Sequence, residues 1–222
     1  MNKAELDEEW RRWRTWLRGG IRQDVMTMLA SRQVWRRYSE LVQQAPQLVQ
    51  RNRTFHTWVT HNYLDGIGTG IRRQTDLRED VIALARLLHR VARYPQALSR
   101  DRFASDDESE SRLSADEAFD ELVGENRDFI DPVVPGTDLQ TLLDGTSTVR
   151  RWIDKEVAHF DPKRGRFSAG LKIEDIHAAL DIVADLLRRY STLIIRTHIV
   201  TDRVALSAWE RIFTTAWLES PE

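Results

Sequence analysis

The chain has 222 residues with a formal net charge of −2, 41% hydrophobic and 31% charged residues, and no cysteine. A chain of that length buries roughly 70% of its unfolded surface and needs no covalent staple, while the missing cysteines exclude disulfides, thiolate metal sites and cysteine nucleophiles. The near-neutral balance gives no bulk attraction to nucleic acid, and neither the charged start MNKAELDEEWRRWRTWLRGG nor any apolar run suits a leader or a membrane span, which predicts a cytoplasmic protein.

Helical periodicity governs the chain from its first residues. Leu6, Trp10, Trp13 and Leu17 recur at helical spacing until Gly19-Gly20 stops them, and Ile21, Val25, Met28 and Leu29 open a second stripe that Val34, Tyr38, Leu41 and Val42 carry to Pro46. Residues 1–45 therefore predict a Trp-rich helical hairpin. Its tryptophans alternate with Arg11, Arg12 and Arg14, but Trp10 and Trp13 fall on the apolar stripe and predict core packing rather than stacking on a ligand. A third helix is predicted over 52–76, apolar at Phe55, Trp58, Val59, Tyr63, Ile67 and Ile71. Gly66, Gly68 and Gly70 follow no strand and make no nucleotide fingerprint, so close approach of a neighbouring helix is their natural role.

A short helix is predicted over 78–93, ended by Pro95. The acidic, Ser-rich run 99–113 reads as a solvated loop, and Ser114-Ala115-Asp116-Glu117 has the form of a capping box that restarts order. Pro132, Pro135 and Gly136 predict a break before a helix over about 138–158. Beyond Gly170, Ile173, Ile176, Leu180, Val183, Leu187, Tyr190 and Ile194 alternate three and four apart, and Ile182, Leu186 and Leu193 widen the stripe. A last helix near 202–218 carries Leu206, Trp209, Phe213 and Trp217. With no repeat and no strand, the fold class predicted is an all-α helical bundle, one domain over 1–222, in which 138–218 holds the motif helix and the C-terminal helices.

The chemistry-bearing stretch is 149-VRRWIDKEVAHFDPKRGRF-167. Cleavage of RNA without a metal needs a base for the 2′-hydroxyl proton and a cation for the phosphate. Histidine suits the first and Arg or Lys the second. His159 sits among Arg150, Arg151, Lys155, Lys163 and Arg164. On a continuous helix Lys155 and His159 share a face, whereas Arg151 lies roughly 80° from His159, a gap that a long side chain or a helix break closes. Basic residues ahead of Asp161-Pro162 also suit an ordinary helix end, where they complement the macrodipole. The six histidines make no metal-binding spacing, so no metal and no cofactor is predicted. Only four of the 33 basic residues are Lys, a bias that favours bidentate phosphate contacts and that coding composition explains equally well.

At these residues the sequence resembles the HEPN superfamily, and within it the AbiU-like proteins linked to abortive infection. The similarity lies in 157-VAHFD-161, in the amphipathic helix 173–197 after it, and in 72-RRQTD-76, which resembles an Arg-x-x-Asp of that group. The resemblance spans roughly residues 20–200. It implies an all-α bundle, often dimeric through the motif helices, and metal-independent RNA cleavage by an Arg-x(4–6)-His motif. This chain departs from that spacing: seven residues separate Arg151 from His159, eight separate Arg150 and three separate Lys155. Either the family's Arg is displaced, or Lys155 replaces it, or the pair is lost and a helical shell remains.

Two functions emerge as expectations. One is an RNA-directed effector of phage defence or a toxin–antitoxin system, a metal-independent ribonuclease. Its base would be His159, its phosphate clamp Arg151 or Lys155, and its orienting group Asp161, with Arg150, Arg164, Arg73 and Asp76 as binding residues. The other is a non-catalytic helical module that forms a homodimer or holds a cognate protein partner through the 173–194 helix. A small-molecule-binding bundle is a third, resting only on inward-facing aromatics. None of these readings involves a membrane.

Overall fold

The computed structural model describes residues 1–44, 46–105, 112–157 and 171–200, the side chains of 48–49, 112–114 and 157 excepted. Helix α1 (Lys3–Trp16) starts at a capping box: Asn2 Oδ1 accepts from the Glu5 amide at 3.0 Å, and the Asn2 amide donates to Glu5 Oε2 at 2.8 Å. Its Trp10, Trp13 and Trp16 are all buried, so the aromatic-and-arginine run is a core face and not an exposed stacking platform. Gly19 leaves helical geometry (φ −97°, ψ −107°), and a π turn over Leu17–Ile21 carries the chain into α2 (Arg22–Gln44).

Helix α2 stops at Gln44, ahead of Pro46 as the sequence predicts, but Pro46 is not followed by a loop. It opens α3 (Pro46–Arg51), where its missing N–H would have had no partner in any case, and α4 (Arg53–Gln74) comes next. The helix predicted over 78–93 is shorter, α5 (Leu84–Arg93). The Gln74 side chain donates to Asp24 at 2.7 Å and accepts from the Leu84 amide at 3.1 Å, so a buried amide fixes where α5 begins. A 3₁₀ turn over Pro95–Ala97 leads to α6 (Arg100–Ser105), inside the stretch read as an acidic loop. That segment is helical because Phe103 has a partner: its ring meets Phe119 at 5.4 Å, and Arg102 ties it to Asp7 at 2.6 Å. Composition alone did not reveal that anchor, and residues 106–111 lie outside the described residues.

Helix α7 (Arg112–Val123) begins slightly ahead of the predicted capping box. Helix α8 (Val133–Gly145) takes Pro135 into its first turn, where an amide would need no helical acceptor, and the Gly136 amide donates to the Pro132 carbonyl at 3.3 Å, so the predicted break falls earlier. The single helix predicted over 138–158 is three pieces: α8, α9 (Ser147–Trp152) and a second π turn over Ile153–Val157. Among the described residues the one β contact is the bridge between Ser99 and Phe129. The fold is all-α.

Helix α10 (Ile173–Ile195) runs through the middle and touches α1, α2, α4, α8 and α9. Ile176, Leu180, Val183, Leu187, Tyr190 and Ile194 of the predicted seam are fully buried within this one chain. Each such side chain stabilises the core by about 1.5–3 kcal/mol. The side of α10 left to a partner is polar, with Glu174, Asp181 and Asp185 exposed. Arg196 ends the helix in the left-handed region (φ 50°), its guanidinium 4.6 Å above the Phe103 ring. The last predicted helix, with Trp209, Phe213 and Trp217, lies outside the described residues. No described helix is long and apolar enough to cross a membrane.

Candidate phosphate-handling site

The basic stretch is placed by its apolar residues. Val149 and Ile153 are buried, and Ile153 lies over Gly68 so closely that a Cβ there would stand 2.6 Å from its Cδ1 and 3.3 Å from a Trp152 ring carbon. Gly68 therefore lets α9 and the second π turn press onto α4. Gly70 serves the same purpose towards Met28 of α2, while Gly66 faces open space. A charged link lies beside this contact: Arg72 Nε donates to Asp154 Oδ1 at 2.9 Å. Two segments that are separate in sequence, 72–76 and 150–157, thus meet at one edge of the bundle.

The predicted residues do not all converge there. Arg151 is exposed, and its Nε makes only a long contact of 3.4 Å with the Ser147 carbonyl. Arg150 is half-buried, with an Nε that has no hydrogen-bond partner among the described residues. Lys155 is half-buried in the π turn. Arg73 turns to α2, where it pairs with Asp24 at 2.5 Å, so Arg73 and Asp76 are not partners of one another. Asp76 binds Arg78 at 3.0 Å and lies 3.8 Å from Arg72. Burial pushes its carboxyl up, but the Arg78 amide and guanidinium, with Arg72, outweigh that and hold it below the ordinary carboxylate range. Asp76 and Asp154 therefore place carboxylates beside Arg72, which blunts it as an anion site. His159, Asp161 and Arg164 lie outside the described residues.

A second constellation went unnoticed in the sequence. On the opposite half of α4, Tyr63 Oη lies 2.7 Å from His177 Nε2 of α10 and its ring stacks on Trp35 of α2 at 4.7 Å. One layer up, Tyr38 Oη lies 3.0 Å from His56 Nδ1. Arg32 reaches across from α2 to Asp181 at 2.5 Å. Burial pushes the Tyr63 hydroxyl well above its usual range despite Arg32 and Arg36. Burial likewise pushes the His177 imidazole down, helped by Arg36 and Arg32 and opposed by Asp181 and Glu174. Both groups therefore stay neutral, and one proton is shared between Tyr63 Oη and His177 Nε2. The signals in the sequence were slight: His56 and Tyr63 seven apart on α4, His177 and Asp181 four apart on α10.

Among the described residues no group of three His, Asp or Glu side chains is disposed to hold a metal ion. Compared with protein-family models, curated proteins and solved structures, the chain matches none.

Proposed function

We propose that this chain is an HEPN-like, RNA-directed effector of phage defence or a toxin–antitoxin system, cleaving RNA without a metal through His159 and Arg151. His159 takes the 2′-hydroxyl proton, Arg151 balances the charge that develops on the phosphate, and Asp161 orients the imidazole. Arg150, Lys155 and Arg164 add positive potential along the strand.

This reading rests above all on the π turn over Ile153–Val157. A π turn accommodates one extra residue in a helical path. Seven residues between Arg151 and His159 therefore count as six once the turn's extra residue is set aside, the upper end of the Arg-x(4–6)-His spacing. Support also comes from the exposure of Arg151, whose guanidinium is free to swing towards a phosphate.

The test is incubation of total tRNA and a mixed RNA pool with the protein in EDTA, wild type beside His159→Ala. A loss of about 10²–10⁴-fold in cleavage rate is expected of the variant, the range for removal of a general base. Equal cleavage by both proteins would overturn the assignment. The competing reading, a non-catalytic interaction module, has one observation of its own: Phe55 and Trp58 on α4 stack at 6.0 Å while 54% and 60% exposed. On that reading a protein partner covers the pair, and wild type cleaves neither RNA pool.

A further inference from the structure

We propose that the junction of α2, α4 and α10 is a seat for a phosphate group, held by Arg32, Arg36 and His177, in which the Asp181 carboxylate occupies the anion's place when the seat is unliganded. This seat is independent of the roles given to Arg151 and His159. Arg32 is almost wholly buried, its side chain 10% exposed, yet the carboxylate that neutralises it is 58% exposed. Such a pair is lopsided. The guanidinium is fixed in position by its packing, whereas Asp181 returns to water at little cost when another anion arrives.

Arg36 lies one turn beyond Arg32 on the same face of α2. It is exposed and makes no ion pair among the described residues. On α10, His177 lies one turn before Asp181 in the same way. Two cations on one helix thus face an imidazole and a displaceable carboxylate on the other. Tyr63 occupies His177 Nε2 from α4, and in the proposed seat it is the donor there, which leaves the imidazole an Nδ1–H to offer the anion. The fixed charges facing His177 are Arg32 and Arg36 from α2, and Asp181 and Glu174 from α10. A phosphate has the right chemistry for this set, because a planar guanidinium and an N–H donor both match its oxygens. When it displaces Asp181 it brings negative charge against the imidazole, which then takes one proton from solvent onto Nε2. The Tyr63 hydroxyl turns from donor to acceptor in that step.

The test is an NMR titration of the His177 ring, assigned with His177→Gln, against inorganic phosphate and separately against a short oligouridylate. Binding is expected to move the His177 titration to higher pH. Arg36→Gln, an exposed change, is expected to weaken binding about tenfold, the worth of one charge-assisted contact. Asp181→Asn is expected to tighten binding, since it removes the competing carboxylate, an effect that a purely structural ion pair does not produce. A shift with phosphate alone makes a free phosphate or small phosphate ester the ligand; a shift with the oligonucleotide makes it a nucleic-acid backbone. A His177 titration unmoved by either probe, or Asp181→Asn binding no more tightly than wild type, overturns the proposal.

Discussion

Gly66, Gly68 and Gly70 share one helix and meet three different surroundings. At Gly66 an added methyl meets nothing within 4 Å, so Gly66→Ala gains helix propensity and is expected to stabilise the protein by about 0.5–1 kcal/mol. At Gly68 the methyl runs into both outer carbons of Ile153, one of them at 2.9 Å, and Gly68→Ala is expected to cost about 1–3 kcal/mol through overpacking. Urea melts of the two variants check the contrast; the same sign in both would contradict the packing described. The sequence showed that these glycines needed a reason, but which of them touches a neighbour depends on contacts far along the chain. His177 gives a second expectation at this scale. Its folded-state pKa lies below the ordinary imidazole value of 6.5, so the unfolded chain binds more protons on the acid side. Stability is therefore expected to be full above about pH 6.5 and to fall as pH drops from there towards the folded-state pKa. In His177→Gln that part of the pH dependence disappears; a pH profile unchanged in the variant would contradict the burial assigned to the ring.

At the scale of elements, α10 was legible and the π turns were not. The seam of α10 is a long regular pattern of large apolar residues, and such a pattern survives any choice of neighbours. A π turn leaves no mark in hydrophobic spacing, because Ile153 would be buried on either kind of helix. Its effect is on phase, and phase decides which basic residues could share a face. Deleting Glu156 removes the turn's extra residue and leaves a spacing of six between Arg151 and His159, so metal-free RNA cleavage is expected to persist. Inserting one Ala after Val157 lengthens the spacing between Arg151 and His159 by one residue and is expected to abolish cleavage. Assaying both variants, with helicity monitored by circular dichroism, tests the register directly; loss of activity in the folded deletion variant and retention in the insertion variant would contradict it.

At the scale of the whole molecule, an apolar pattern read along the chain predicted an all-α bundle, and the bundle is built around the predicted central helix. What composition obscured were the local decisions made by charged and aromatic pairs. Phe103 on Phe119 turns part of an acidic run into α6, and buried Glu9 binds α1 to α5 through Arg90. The Tyr63–His177 contact spans 114 residues of sequence and no spacing rule reaches that far. The 173–194 seam was legible as an apolar face, yet only the assembled bundle reveals that the chain consumes that face itself. The most direct measurement of the proposed function is the chemistry of the ends left on RNA cut in EDTA, compared between wild type and Arg151→Ala. Wild type is expected to leave 2′,3′-cyclic phosphate ends, and Arg151→Ala about 10²–10³-fold less product, the loss typical of one charge-stabilising donor. Ends of another kind, or ends equally abundant in the variant, would contradict the assignment of Arg151 and His159.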